Sequence, residues 1–388
     1  METEPEPPPQ PDLEPNPNPE TLTPSLQNLS LSSSSSSDPL STADPLSCPD
    51  LDSLQELASR GSWLALLDLL TRPSHPLQNP HEHLIHLSFQ TLALFKLRRF
   101  SDAAKLLISD PDLDSALDSD PDSDPDSFSP ARYRYETYPK LYPNRRGSMI
   151  PFSLRFLHAD LPHRLGRRSE TLDRLYSLLD LARRRSKSPN PNPNNTWKKR
   201  EIFLINWILS HHLSYREIDS CVFLFRDLIR SDPSNPILLS KLGYVLMQIG
   251  DLNGAKSVFD RVEKLGKEEK WFKNLVNLNR ALVYMVGKDY VSAVKEYEEC
   301  IERDPIDAIA INNKALCLMY LRDLSDSIKV LEDVLERAPT AALNETVVVN
   351  LCSMYELAYV NNSEIKKTLR NWIARVAPDD FDSSCTRI

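Results

Sequence analysis

Between positions 197 and 341, apolar residues recur at the three- and four-residue steps of an α-helix, and one short pattern keeps returning. Three stretches, "RDLIRSDP", "YEECIERDP" and "LEDVLERAP", end alike on Pro233, Pro305 and Pro339. The last two prolines are 34 residues apart; the first two are 72 apart, which is two such periods plus four inserted residues. Twelve residues before each proline stands a small side chain (Cys221, Ala293, Ser327), and four later a large apolar one (Phe225, Tyr297, Leu331). Leu228, Ile301 and Val334 continue the face. A copy without the proline fits between the first two, with Ala255, Phe259 and Val262, and its "GKEEK" loop takes the insertion. The upstream half of each unit is helical in spacing as well: Ile205, Ile208, Leu209; Leu239, Leu242, Gly243, Leu246; Leu278, Ala281, Tyr284; Ile311, Ala315, Leu318. Each unit therefore predicts two short helices. The small residue lets the second helix approach the first, and the large one, a turn later, fills the groove. The proline then denies the next backbone hydrogen bond. One pair cannot bury its apolar face alone, so pairs stack.

This period and layout resemble the tetratricopeptide repeat (TPR), in about four copies over 197–341. The repeat's signature Trp is absent, and Asn277 and Arg280 stand where apolar residues are usual. In 342–378, "LNETVVVNLCSMYELAYV" and "SEIKKTLRNWIARVAP" predict two helices that close the open end of the stack, and 379–388 reads as a loose tail. Residues 51–109 predict an N-terminal helical segment in which "RRFSDAAKLL" supplies a turn and a second helix, with Phe100 and Ala103 packing. A further helix runs through "SETLDRLYSLLDLARRR", with Ser169 as its N-cap. Leu172, Leu175, Leu179 and Ala182 form its stripe, and Arg183, Arg184 and Arg185 suit its C-terminal dipole. The expected fold class is all-α: a TPR-like α-solenoid with additional N-terminal helices.

Composition bounds the rest. Residues 1–50 hold nine acidic residues, no Lys or Arg, and 12 of the chain's 31 prolines. Such a tail cannot bury enough apolar surface to fold, and it is expected to be disordered. Without it the net charge of −9 vanishes, leaving 46 basic and 46 acidic residues. A neutral body lacks the positive field a general nucleic-acid binder needs. Residues 110–130, with eight aspartates and four prolines, are expected to form a disordered acidic linker, and "SKSPNPNPNN" a second linker at 189–196. The six cysteines include no C-x-x-C pair, as expected of reduced thiols. No apolar run approaches the ~20 residues of a membrane span, and no secretory or transit signal opens the chain. These features predict a soluble cytoplasmic protein.

Candidate chemistry is thin. The alternating Asp118, Asp120, Asp122, Asp124 and Asp126 lack the glycine turn and closing Glu of a calcium loop. His83 and His86 share a helix face beside His81, but no Cys or H-e-x-x-H pattern completes a zinc site, so surface histidines are expected. His211 and His212 are adjacent and point to different faces. Cys385 sits where a prenylated cysteine would, but Arg387 takes an aliphatic position of that signal. The stretch 183–187 reads as a helix terminus rather than a phosphate patch. Neither a phosphate-cradling glycine loop nor a nucleophile elbow occurs. The chain reads as a non-enzyme with no cofactor and no metal.

The most distinctive stretch lies in 131–188: "YPKLYPNRRGSMIPFSLR" at 138–155, then "LHADLP", then "TLDRLY". Together with the following repeats, it resembles the signature block of the subunit 12 family of the transport protein particle (TRAPP) complex. Physically, the prolines at 139, 143 and 151 stiffen an extended path. Tyr138 and Tyr142 then face one side, and Pro151 opens a short helix on which Phe152 and Phe156 share a face. The block is expected to weld the N-terminal helices to the solenoid and to offer a partner surface. That surface would use Tyr138, Tyr142, Arg145, Arg146, Ser148, Phe152 and Arg155, since Tyr and Arg favour interfaces. The resemblance implies a non-catalytic scaffold in ER-to-Golgi and Golgi vesicle tethering, peripheral to Golgi, trans-Golgi network and ER–Golgi intermediate membranes. It implies contacts with TRAPP subunits 8, 11 and 13 and the core, and only an indirect link to Rab GTPases and vesicle membranes, because nucleotide exchange belongs to the small core subunits. The competing reading is a free TPR adaptor or co-chaperone that grips peptide termini. That needs a ladder of Lys, Arg and Asn on consecutive inner helices, of which only Asn312, Asn313 and Lys314 are visible.

Overall fold

A computed structural model describes residues 51–71, 79–118, 131–143, 145–187 and 196–387. The acidic tail at 1–50, the Asp120–Asp126 run and nearly all of the 189–196 linker lie outside the described residues. Among the described residues there are 18 α-helices, no β-strand, and one isolated antiparallel bridge between Arg134 and Ser148. No described helix is long and apolar enough to cross a membrane.

The N-terminal part contributes α1 (Leu51–Ser59), α2 (Trp63–Thr71), α3 (Pro80–Lys96), α4 (Phe100–Ile108) and α5 (Pro111–Asp118). After a loop come α6 (Phe152–Arg164) and α7 (Arg168–Ser186). Four hairpins fill the span of the repeats: α8 (Thr196–Ser214) with α9 (Ile218–Ser231), α10 (Pro236–Gln248) with α11 (Leu252–Glu263), α12 (Lys270–Val286) with α13 (Tyr290–Arg303), and α14 (Ala308–Tyr320) with α15 (Leu324–Arg337). A single turn, α16 (Pro339–Ala342), leads to α17 (Glu345–Ala358) and α18 (Ser363–Val376).

The small-then-large rhythm is the packing rule of this stack. Cys221, Ala255, Ala293 and Ser327 are all fully buried, and Phe225, Phe259, Tyr297 and Leu331 fill the adjoining grooves. At the next step the third pair departs from the pattern: Cys300 takes the buried position, and Ile301 is half-buried between two core clusters. Tyr284, placed on an apolar stripe by its spacing, is 38% exposed. The polar exceptions have partners. Asn277 is buried and donates to Glu296 and Glu299 at 2.8 and 2.7 Å, while Arg280 pairs with Glu263 on the preceding helix.

One turn geometry recurs. Among the described residues, seven hairpins close through a left-handed residue: Gly61, Arg98, Gly166, Arg216, Gly250, Lys288 and Arg322, with φ between 57° and 86°. In each, the following N–H reaches five residues back, 62 to 57, 99 to 94, 167 to 162, 217 to 212, 251 to 246, 289 to 284 and 323 to 318, over 2.8–3.0 Å. This Schellman closure satisfies the carbonyls that a helix end orphans. Asp251, Asp289 and Asp323 then cap the next helix by accepting from the N–H three residues on. In α7 the same closure places Arg167, not Ser169, before the first helical residue, so Ser169 lies inside the helix.

Two segments expected to be loose are ordered. Residues 111–118, the start of the supposed linker, form α5. Pro111 sits at its start, Asp112 and Asp114 complement the dipole in its first turn, and Leu113, Ala116 and Leu117 share a buried face. The tail from 379 onwards is docked. Asp379 N–H donates to Gly61 O (3.1 Å), Leu64 N–H donates to Asp379 Oδ2 (2.9 Å), and Lys96 and Arg98 pair with Asp380 and Asp382 at 2.8 and 2.6 Å. Cys385 and Cys352 bury together with Val348 and Ile373. The chain end thus bridges the last helices to the first.

The largest core is continuous from Leu54 to Val245 and takes in Tyr133, Met149, Ile150, Phe152 and Phe156. Its polar centre is Asp160 on α6, which accepts from Trp207 Nε1 at 2.7 Å and lies 3.1 Å from His211 Nε2 and 3.2 Å from Arg164 Nε. Burial works to raise this carboxyl, but the His211 bond, the Arg164 charge and the Trp207 bond outweigh it and hold Asp160 below the usual carboxylate range. His211 and His212, both buried, serve this hub and Glu217 (2.6 Å) respectively.

Candidate partner interface

The distinctive block forms a closed loop ahead of α6. Its base is zipped by Tyr135 N–H to Gly147 O (3.0 Å) and Met149 N–H to Tyr133 O (2.8 Å). Gly147 N–H donates to Glu136 at 2.7 Å, and Tyr133 donates to Asp110 at 2.5 Å, which ties the loop to the end of α4. Between Tyr138 and Tyr142 the backbone turns, with Tyr142 N–H donating to Tyr138 O at 3.0 Å, instead of running extended. The tyrosines therefore separate. Tyr138 is half-buried against the core, and Tyr142 meets Tyr135 edge-on at 5.2 Å. His81 on α3 completes this aromatic group, 5.9 Å from Tyr135 and 6.4 Å from Tyr142. Burial and then the nearby Arg145 charge push its pKa below the ordinary value, so the ring is held neutral. The pKa values of His83 and His86 are lowered too; His81 and His86 are half-buried, while His83 is exposed, as expected of a surface residue. Among the described residues no cluster of His, Cys, Asp or Glu could hold a metal.

The seven residues expected at the partner surface divide. Arg145 and Arg146 are exposed, Arg145 lying over the Tyr135 ring at 5.8 Å. Tyr138, Tyr142 and Ser148 are half-buried. Phe152 and Arg155 are buried, 6% and 7% exposed, and act inside the chain. Arg155 donates to Leu117 O (2.9 Å) and to Ser148 Oγ (3.0 Å), which locks α5 and the loop onto α6.

Beside this lock lies a cavity of about 290 Å³ between the loop, α7 and the start of α8. Arg146, Arg155, Arg185 and Arg200 line it, with Phe152 and Trp197 as aromatic walls and, among the described residues, no Asp or Glu. Arg200 is stacked between Phe152 (4.8 Å) and Trp197 (4.5 Å), and its Nε is buried without a hydrogen-bond partner among the described residues. Burial pushes its guanidinium down to about 10, so it stays charged. Sequence reasoning missed Trp197, Arg200 and the site role of Arg185. The only signal was local: Trp197 and Arg200 stand three apart on one helix face.

The inner helices of the stack carry polar side chains that answer one another. Tyr244 donates to Asn279 (2.7 Å), Asn279 to Ser240 (2.8 Å), and Asn350 to Asn312 (2.8 Å), while Lys314 pairs with Glu298 (3.0 Å).

No family model matches the chain. It is 30% identical over 274 residues to trafficking protein particle complex subunit 12 of Mus musculus, which covers 66% of this chain and 34% of that protein. Against the Homo sapiens protein of the same name it is 30% identical over 277 residues, 66% of this chain and 37% of the relative. The chain thus spans about a third of the length of these curated relatives. A solved tetratricopeptide repeat protein from Parabacteroides merdae covers 79% of this chain at 13% identity with a TM-score of 0.39, too loose a superposition to add to the hairpin geometry. With its stacked helix hairpins, its zipped loop and this similarity over two thirds of its residues, the chain belongs to the trafficking protein particle complex subunit 12 family.

Proposed function

We propose that the chain is a non-catalytic scaffold subunit of the TRAPP vesicle-tethering complex, working through protein–protein contacts in ER-to-Golgi and Golgi transport. The observation that carries this reading is the fusion of the zipped loop with the helix stack. Tyr133, Met149, Ile150 and Phe152 lie in the same core as the first repeat helices, so the block is a rigid part of the solenoid and not an appendage. A stack of hairpins offers extended surface for partners without moving parts. In this reading the partners are TRAPP subunits 8, 11 and 13 and the core, the link to Rab GTPases is indirect, and the protein sits in the cytoplasm, peripheral to Golgi, trans-Golgi network and ER–Golgi intermediate membranes. Exposed Arg145 and Arg146, with the half-buried Tyr138 and Tyr142 of the same loop, form the proposed contact patch.

The competing adaptor reading needs unengaged donors along the inner helices. Asn279, Asn312 and Lys314 instead bond within the chain, which favours the scaffold. Affinity purification of the tagged chain tests the choice. Recovery of TRAPP core subunits supports the scaffold. Their absence, together with tight, salt-sensitive binding of an acidic C-terminal peptide, supports the adaptor.

A further inference from the structure

Two of the four guanidinium groups that line the cavity, those of Arg146 and Arg200, carry charge that the internal contacts of the described residues do not pair. Arg155 is committed to Leu117 O and Ser148, and Arg185 lies over Trp197 at 5.7 Å. Among the described residues, Arg146 and Arg200 make no ion pair and no carboxylate lines the cavity. Arg200 is half-buried, but its Nε–H is buried between two aromatic rings and idle; a buried donor is expensive to desolvate and is normally satisfied. The two uncompensated charges match the nearly two negative charges of a phosphate monoester, and a guanidinium fork suits its oxygens. Phe152, Trp197, Ile150 and Pro151 offer apolar contact to the atoms that carry the phosphate. None of the large exposed apolar side chains of the described chain lines the cavity, so nothing there would insert into a bilayer.

From this arrangement we propose that the cavity between the loop at 146–155, α7 and α8 is a receptor for a phosphorylated side chain of a partner polypeptide, with Arg200 at its floor and Arg146 at its rim. The site is independent of which assembly the chain joins. Arg200 supplies the fork, stacked so that it is already oriented before the ligand arrives. Arg146 closes over the phosphate from outside. Ser148, held by Arg155, presents its hydroxyl to the same space.

The test is calorimetric titration of the full chain with the blocked peptide Ala-Ala-phosphoserine-Pro-Ala, its unphosphorylated and Asp-containing counterparts, inorganic phosphate, and vesicles of phosphatidylcholine with phosphatidylinositol 4-phosphate. The phosphopeptide should bind best, the Ser peptide not measurably, and added salt should weaken binding. Arg200→Met keeps the stacked stem while removing the charge-assisted bonds, and it should weaken binding roughly ten- to hundredfold. Arg146→Ala should weaken it less. Arg261→Ala, on an exposed face of α11, should leave it unchanged, and unaltered thermal midpoints would show that each variant is folded. The proposal is overturned if the Asp peptide binds as well as the phosphopeptide, if only inorganic phosphate or only vesicles bind, if nothing binds, or if folded Arg200→Met binds normally.

Discussion

Phe259 packs its ring against Gly243, so that a methyl group at 243 would stand 2.7 Å from Cζ of the ring and closer still to Cε1. The groove on α10 that receives the large residue of α11 thus exists because position 243 carries no side chain. Gly243→Ala should destabilise the chain by about 1–3 kcal/mol through overpacking, read as a lower denaturant midpoint. Combining it with Phe259→Leu should cost less than the two single changes together, because they share one space. Additive losses would show that the ring yields freely.

The left-handed turns predict the opposite sign. Lys288 and Arg322 adopt φ of 63° and 69°, where a β-carbon meets the following carbonyl. Lys288→Gly or Arg322→Gly should therefore stabilise by about 0.5 kcal/mol, strain relief of ~1–2 kcal/mol being partly offset by the greater unfolded-state freedom of glycine. Arg98→Gly should gain less, since Arg98 also pairs with Asp382. Thermal midpoints of the three variants check the order.

The docked chain end makes a chemical prediction. Burial raises the Cys352 thiol above its ordinary pKa, and Cys385 packs against it. In the intact chain Cys352 should alkylate slowly at pH 8. Removing residues 378–388 should speed its reaction by an order of magnitude or more while leaving buried Cys221 slow, as followed by mass spectrometry. The clamp should tolerate acid, because the Ser384 and Arg98 bonds hold Asp382 down to about 2. The contribution of Asp382 is present above the ordinary carboxylate value and is lost progressively as pH falls from there through about 2.

Histidine sets the milder pH response. The pKa of His81 is lowered from 6.5 in the folded chain, so below that value the unfolded chain binds more protons and stability falls with falling pH. The thermal midpoint should drop between pH 7.5 and 5.5. His81→Gln should flatten that slope, whereas a histidine merely on the surface would leave it unchanged.

The repeat was legible because its chemistry is local and periodic: Ala255 and Phe259 are a turn apart, and each copy repeats the pair. Asn277 became intelligible only with its partners Glu296 and Glu299 on the next helix. The start of the acidic stretch was misread because its aspartates masked the Leu113–Ala116–Leu117 stripe, which buries only against helices from elsewhere. The docked end was invisible for a similar reason: Asp379 finds Leu64 across 315 positions of sequence. The Arg-lined cavity gathers guanidinium groups from three separate segments, and no single stretch announces it.

The central claim is that this chain works as a fixed part of a larger TRAPP assembly. Size-exclusion fractionation of native lysate, with this chain and a TRAPP core subunit followed by immunoblot, tests it most directly. The two should elute together, far above the mass of the free chain, and depletion of one should remove the other from those fractions. Elution of this chain alone at the size of a monomer, with the core subunit unaffected by its depletion, would contradict the account.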